Sequence, residues 1–171
     1  MVIIIIGLPG SGKSYFARRL SKLLDAVYIN SDNQRKSIIP APCYSDAEKE
    51  VVYNEMLNAT MYALNNNKKV VLDATFYTKA IRDKFEKHIK NTSDICYIEI
   101  VADEEVIRKR LLNKREDSDA DYFIYKLLRN DWEPVTEEHL VLQSTNDNIN
   151  TMLLKAFHHI QSRNHGKVTN P

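Results

Sequence analysis

Gly7-Leu8-Pro9-Gly10-Ser11-Gly12-Lys13-Ser14 follows the β-branched run Val2-Ile3-Ile4-Ile5-Ile6 and opens into Tyr15-Phe16-Ala17-Arg18-Arg19-Leu20. The eight residues fit G-x-x-x-x-G-K-[ST] in the setting that pattern needs: a strand, a tight turn and a helix start. The chemistry accounts for the residue types. Gly7, Gly10 and Gly12 allow successive N–H groups to converge on one concavity. Lys13 supplies a cation for β- and γ-phosphates, and the Ser14 hydroxyl is a hard oxygen ligand for Mg²⁺. Unpaired N–H groups and the dipole of the following helix put positive potential at the same point. Three of the four glycines in the chain fall here. The stretch predicts a nucleoside triphosphate site that takes Mg²⁺ with the phosphates.

Outward from that loop, the remainder reads as one domain. At 171 residues the chain is long enough to bury a real core. Its 43% hydrophobic and 27% charged residues place it among globular, non-membrane chains. No apolar run approaches a membrane span, and the Ile run is too short and lacks the basic flank of a signal peptide. A net charge of +1 argues against coating nucleic acid by bulk electrostatics, so any such contact must be local. Cys43 and Cys96 lack metal-ligand spacing, and a reduced, cytoplasmic setting is the default expectation.

Periodicity predicts a helix to about Leu24, then a second strand over 26–30. Ser31-Asp32-Asn33-Gln34 has the form of a capping box and starts a short helix that Pro40 ends. Ser45-Asp46-Ala47-Glu48 is a second box, opening a helix with Val51, Val52, Met56, Ala59, Met61, Ala63 and Leu64 on its apolar positions. A third strand, Val70-Val71-Leu72-Asp73, precedes a helix over 78–90. A fourth strand over 94–101 leads into a basic helix ending near Arg115. A helix over 119–130, a fifth strand over 139–142 and a closing helix over 149–160 complete the order. Alternating strands and helices give an α/β domain with a five-stranded parallel sheet and helices on both faces, and about 108–125 is the candidate for a small helical lid. The domain is read as 1–161, with 162–171 a disordered tail.

In an open parallel sheet, ligands sit beyond the carboxyl ends of the strands. Ser14, Asp32 and Asp73 all fall there, after the first, second and third strands. Asp73 ends an apolar run of the Walker B kind and reads as a Mg²⁺ carboxylate, or as a strand-terminal turn residue. Asp32 reads as a first-turn carboxylate complementing a helix dipole, as a general base for an acceptor hydroxyl, or as both. Arg35 lies three residues on, on the same helix face, where its fork suits a phosphate or carboxylate on the acceptor. Arg108, Lys109, Arg110, Lys114 and Arg115 form a basic segment. It is either a solvated helix face or a lid whose arginine neutralises phosphoryl-transfer charge, with Arg110 and Arg115 as the candidates. Arg82 taken alone reads as an ion-pair residue, and the five histidines have no motif spacing.

These residues together resemble the P-loop kinase family that includes the phage polynucleotide 5′-kinase. That family pairs G-x-P-G-S-G-K-S with N-x-D-x-x-R-x-S-I, and here Asn30-Ser31-Asp32-Asn33-Gln34-Arg35-Lys36-Ser37-Ile38 follows the loop. The resemblance implies that Asp32 is the base for a 5′-hydroxyl and that Arg35 contacts a 3′-phosphate. The family's D-x-T-N segment is matched by Asp73-Ala74-Thr75-Phe76, followed by Arg82 as a second acceptor-side residue. Its lid is matched by Arg110 to Arg115, Ser118 to Asp121 and Trp132-Glu133-Pro134. Phe76 departs from the usual Asn, which alters the acceptor side of the cleft, and the lid arginines are five apart instead of four.

The expectation is thus an ATP-dependent kinase acting on an acceptor hydroxyl. A polynucleotide or nucleotide 5′-hydroxyl is the first choice, and a small-molecule alcohol, sugar or antibiotic the alternative. A nucleotide-dependent switch ranks lower, because Asp73-Ala74-Thr75-Phe76 lacks the glycine of a γ-phosphate-sensing D-x-x-G segment. A ring-forming mechanical ATPase ranks lower too, with no helical second domain following.

Overall fold

The computed structural model describes residues 1–112 and 122–165 of the chain. Every residue of β1 (Val2–Ile6) is fully buried, as a β-branched strand must be at the centre of a parallel sheet covered on both faces. β1 lies between β3 (Val70–Asp73) and β4 (Ile95–Val101). β2 (Val27–Asn30) flanks β3, and β5 (His139–Gln143) flanks β4, giving the all-parallel order β2-β3-β1-β4-β5. The order reverses about β1, so the loop leaving it opens where clefts form in such sheets.

α1 (Lys13–Leu24) and α7 (Ile149–His165) cover one face, packing Phe16, Leu20, Met152 and Ala156 on Ile3, Ile5 and Val71. α3 (Asp46–Asn65) and α4 (Lys79–Ile89) cover the other, packing Val52, Met56, Phe85 and Ile89 on Ile4, Ile6 and Leu72. The alternation of Ile3 and Ile5 against Ile4 and Ile6 is the period-two consequence of a pleated strand. α2 (Ser31–Ile38) and α5 (Glu104–Leu112) leave the carboxyl ends of β2 and β4, and α6 (Tyr122–Asn130) precedes β5.

Several sequence expectations change in detail. The cap of α2 is Asn30, whose side chain accepts from the Asn33 N–H, and not Ser31. Ser45 does cap α3, accepting from the Glu48 N–H. Val51 faces solvent, while Tyr53, Leu57 and Thr60 join the buried side of α3, because the helix turns its packed stripe one position further than the apolar spacing suggests. α7 continues to His165, beyond the boundary drawn at 161. Residues 113–121 of the expected lid and 166–171 of the expected tail lie outside the described residues. Both cysteines are free, and burial pushes the Cys96 thiol up to about 11.

Candidate active site

The loop from Gly7 to Gly12 is shaped by what surrounds it. A Cβ on Gly7 would stand 2.5 Å from the Ile100 carbonyl oxygen and 2.8 Å from Ser11 Oγ, so only glycine lets β1 turn away this close to β4. Gly12, the residue before α1, has φ 96°, and a Cβ there would meet Ser144 Oγ at 2.8 Å. Arg110 holds the loop from α5. Its Nη1 donates to the carbonyls of Gly10 and Ser11 at 3.3 and 3.0 Å and to Ser144 Oγ at 3.2 Å, and its Nη2 to the Thr145 carbonyl at 2.8 Å. In a trans peptide the N–H points opposite to the C=O. The Ser11 carbonyl, drawn to Arg110, therefore turns the Gly12 N–H to the far side, where an anion would sit. Lys13 and Ser14 begin α1, and the Lys13 ammonium has no hydrogen bond or ion pair among the described residues.

Asp73 sits at the tip of β3 with no solvent exposure. Its Oδ2 accepts from the Tyr28 hydroxyl at 2.5 Å and from Asn30 Nδ2 at 2.7 Å, both on β2. Burial and the adjacent Asp73 charge push the Tyr28 phenol upward, keeping it a neutral donor. Asp73 Oδ1, in contrast, is buried with no partner. A bare carboxylate oxygen is costly unless a ligand completes it. With the Ser14 hydroxyl on the helix covering the same sheet face, the donors are hard oxygens that fit Mg²⁺. No cluster of three or more His, Cys, Asp or Glu suited to a metal occurs among the described residues. Mg²⁺ here would thus take most ligands from phosphate and water.

Asp32 stands in the first turn of α2. Burial pushes its carboxyl above the ordinary range, Lys13 opposes that shift and Asp73 adds to it, so all three charges share one neighbourhood. Arg35 and Lys36 also pull it down. A partly buried carboxylate opposite an ammonium, free of hydrogen bonds among the described residues, is suited to take a proton.

Arg35 is 8% exposed, and its Nη1 pairs with Glu48 Oε1. The Tyr44 ring lies 4.6 Å over its guanidinium, and its Nε is buried without a partner. Glu48 Oε2 accepts from the Cys43 and Tyr44 amides at 2.7 and 3.0 Å. Burial pushes the Glu48 carboxyl up, but these donors hold it down at about 2.

Three side chains are placed otherwise than the motif match implies. Arg82, set on the acceptor side by the motif match, stands as the ion-pair residue it reads as when taken alone: it is fully buried, donating to the Phe76, Glu133 and Pro134 carbonyls at 3.0, 3.2 and 2.8 Å, with Glu137 at 3.5 Å. Phe76 does not line the cleft. With φ 48° its ring turns into the core between Tyr53 and Phe85, at centroid separations of 5.5 and 5.1 Å. Arg110, expected on a lid, here donates to the carbonyls of the phosphate loop. Ile107 and Leu111 of α5 pack beside Gly10, which sets Arg110 on the carbonyl side of the loop. Arg115, the other lid arginine, lies outside the described residues with Lys114.

Gly12, Ser14, Tyr15, Arg18, Arg110 and Asn148 line part of a cleft of about 510 Å³ beside the loop. Leu8, Glu99, Tyr125 and Trp132 line part of a second cavity of about 310 Å³. Sequence reasoning missed Tyr28, Glu48 and Ser144. Tyr28 was within reach: it lies two residues before Asn30 on a strand, hence on the same face. Nothing local marks Ser144, which contributes only through the tertiary approach of the β5–α7 turn.

Among solved structures, a gluconokinase from Sinorhizobium meliloti 1021 aligns with TM-score 0.69 and 17% identity over 97% of this chain and 96% of that one. The Mycobacterium tuberculosis APS kinase CysC, in complex with AMPPNP and APS, aligns with TM-score 0.71 and 15% identity, over 94% and 96%. The Pnkp1/Rnl/Hen1 complex aligns with TM-score 0.58 and 24% identity, over 71% of this chain and 43% of that one. At these identities the likeness is one of fold, that of P-loop kinases. The AAA_33 family, described as an AAA domain, matches residues 2–126, most of the chain. With its phosphate loop, parallel sheet and strand order in place, this chain belongs to the AAA_33 family and has the fold of the P-loop kinases.

Proposed function

We infer that the protein is an ATP-dependent kinase that transfers the γ-phosphoryl group to an acceptor hydroxyl. The observation that carries this reading is the shared neighbourhood of Asp32, Lys13 and Asp73: a base, a phosphate cation and a metal carboxylate at the tips of three adjacent strands. The loop N–H groups and Lys13 bind the β- and γ-phosphates. The cleft by Tyr15 and Arg110 takes the nucleoside. Ser14 would hold Mg²⁺ directly and Asp73 through its bare oxygen; the ion, when bound, neutralises charge on the phosphates. Asp32 accepts the acceptor's proton as its oxygen bonds to the γ-phosphorus. The bond from that phosphorus to the β–γ bridging oxygen breaks, leaving ADP.

For the acceptor, a polynucleotide or nucleotide 5′-hydroxyl is favoured by the Asn30 to Ile38 segment and by Arg35. With Nη1 held by Glu48, the unpartnered Nε edge suits a phosphate beside the attacked hydroxyl. A small-molecule alcohol is the second reading. It is supported by near end-to-end likeness to a gluconokinase and an APS kinase, against partial likeness to the Pnkp1 complex.

The test is transfer from γ-labelled ATP to 5′-hydroxyl DNA and RNA oligomers, nucleoside 3′-monophosphates, sugars and aminoglycosides. Label on one class, lost in Lys13→Ala and Asp32→Asn, is the expected result. Hydrolysis of ATP with no labelled acceptor in any class, or transfer undiminished in both variants, would overturn the reading.

A further inference from the structure

One side chain joins the Asp73 carboxylate to the backbone of the helix that carries Asp32. Asn30 Oδ1 accepts from the Asn33 N–H at 3.0 Å and so caps α2, the helix that carries Asp32. Its Nδ2 donates to Asp73 Oδ2 at 2.7 Å, across the register pairing of Asn30 with Asp73. Asn30 is 4% exposed, and its bond to Asp73 is buried. A carboxamide accepts at one atom and donates at another. Asp or Ser would cap the helix equally well, but ionised Asp cannot donate to Asp73, and Ser is too short to span both partners.

We propose that Asn30 is a positioning residue for phosphoryl transfer: its amide ties the first turn of α2 to the Asp73 carboxylate, fixing Asp32 relative to the bare Oδ1 of Asp73. Tyr28 completes the tie. Its hydroxyl takes the same Oδ2, so Asp73 cannot rotate to present the other oxygen without breaking two hydrogen bonds. The charges around Asp32 come from separate elements: Lys13 of α1, Asp73 of β3, and Arg35 and Lys36 of α2 itself, with the Tyr53 hydroxyl of α3 close enough to feel it. A shift of α2 by a fraction of an ångström alters its relation to each element outside α2.

This inference rests on Asp32 being the base, and the test separates the two. Asn30→Ser keeps a capping oxygen but loses the reach to Asp73. Tyr28→Phe loses the other donor to Asp73 and leaves the cap of α2 untouched. Both are compared with wild type and Asp32→Asn for kcat, for KM of ATP, for affinity for a fluorescent ATP analogue without Mg²⁺, and for folding by circular dichroism. In both tether variants kcat should fall about 10–100-fold, with nucleotide affinity within about threefold of wild type. If Asn30→Ser does not fold, Tyr28→Phe carries the test. Should Asp32→Asn be inactive while the folded tether variants turn over as fast as wild type, the tether is not a positioning device and this proposal alone fails. Loss of nucleotide affinity in step with kcat would likewise overturn it, marking the tether as purely structural. Wild-type turnover in Asp32→Asn would remove the base, and this inference with it.

Discussion

Arg35 and Glu48 form a buried ion pair that closes the connection between α2 and α3. The pair does more than join two helices. Through its second oxygen, Glu48 also holds the Cys43 and Tyr44 amides, so one carboxylate ties down the chain just before α3. Its folded pKa of about 2 lies below the ordinary 4.5. A depressed carboxylate contributes stability that is present above the unfolded value and is lost as pH falls through the folded one. Glu48→Gln should therefore lower the urea midpoint at neutral pH. The gap from wild type should narrow below about 4.5 and close near 2. A gap that stays constant over that range would show that the carboxylate charge is not what Glu48 contributes.

Asp32 has the opposite sign. Its carboxyl is raised by burial, so the ionised form costs stability at every pH above its folded pKa, and the cost vanishes below the ordinary 3.8. Asp32→Asn removes that cost. The variant should melt higher than wild type at neutral pH, with the gain fading as pH falls toward 3.8, while turnover drops about 10²–10⁴-fold. Calorimetry across pH alongside the kinase assay checks both. A variant that melts lower at neutral pH would make Asp32 a structural carboxylate.

Arg82 explains part of what the sequence could and could not convey. The loop and β1 were legible because each rests on local chemistry: glycines where backbones crowd, β-branched residues where a strand is buried on both faces. Asp32 and Asp73 were legible because strand ends in a parallel sheet place them together. The motif match set Arg82, which taken alone reads as an ion-pair residue, Phe76 and Arg110 in other directions than the structure does, for one shared reason. Each is a residue whose direction is set by distant backbone: Arg82 by the Glu133–Pro134 carbonyls, Phe76 by a left-handed φ, Arg110 by the packing of α5 beside Gly10. A motif alignment supplies position along the chain and not the direction in which a side chain leaves it.

The role found for Arg82 has its own consequence. Arg82→Met would leave three carbonyls and Glu137 facing a buried apolar chain. Removing one partner of such a buried charged network costs about 3–5 kcal/mol. Denaturant unfolding should show that loss. If the variant instead keeps its stability and only its KM for the acceptor rises, Arg82 would return to the acceptor side.

Arg110 offers the sharpest division between bracing a loop and stabilising a transition state. Its guanidinium meets acceptors from the phosphate loop and from the β5–α7 turn, and a planar fork serves several at fixed angles where an ammonium cannot. Arg110→Lys and Arg110→Gln should each free the Gly10 and Ser11 carbonyls to rotate, so that the Gly12 N–H is no longer preset toward the anion. Ordering that loop on binding would then cost about 1–2 kcal/mol more, a roughly tenfold loss of nucleotide affinity. Turnover at saturating ATP should change much less. Titration with a fluorescent ATP analogue, run beside kcat, tells the two roles apart. Affinity within twofold of wild type together with a kcat loss of about 10³-fold or more would mean that Arg110 leaves its carbonyl partners during the reaction and meets the transferring phosphoryl group itself.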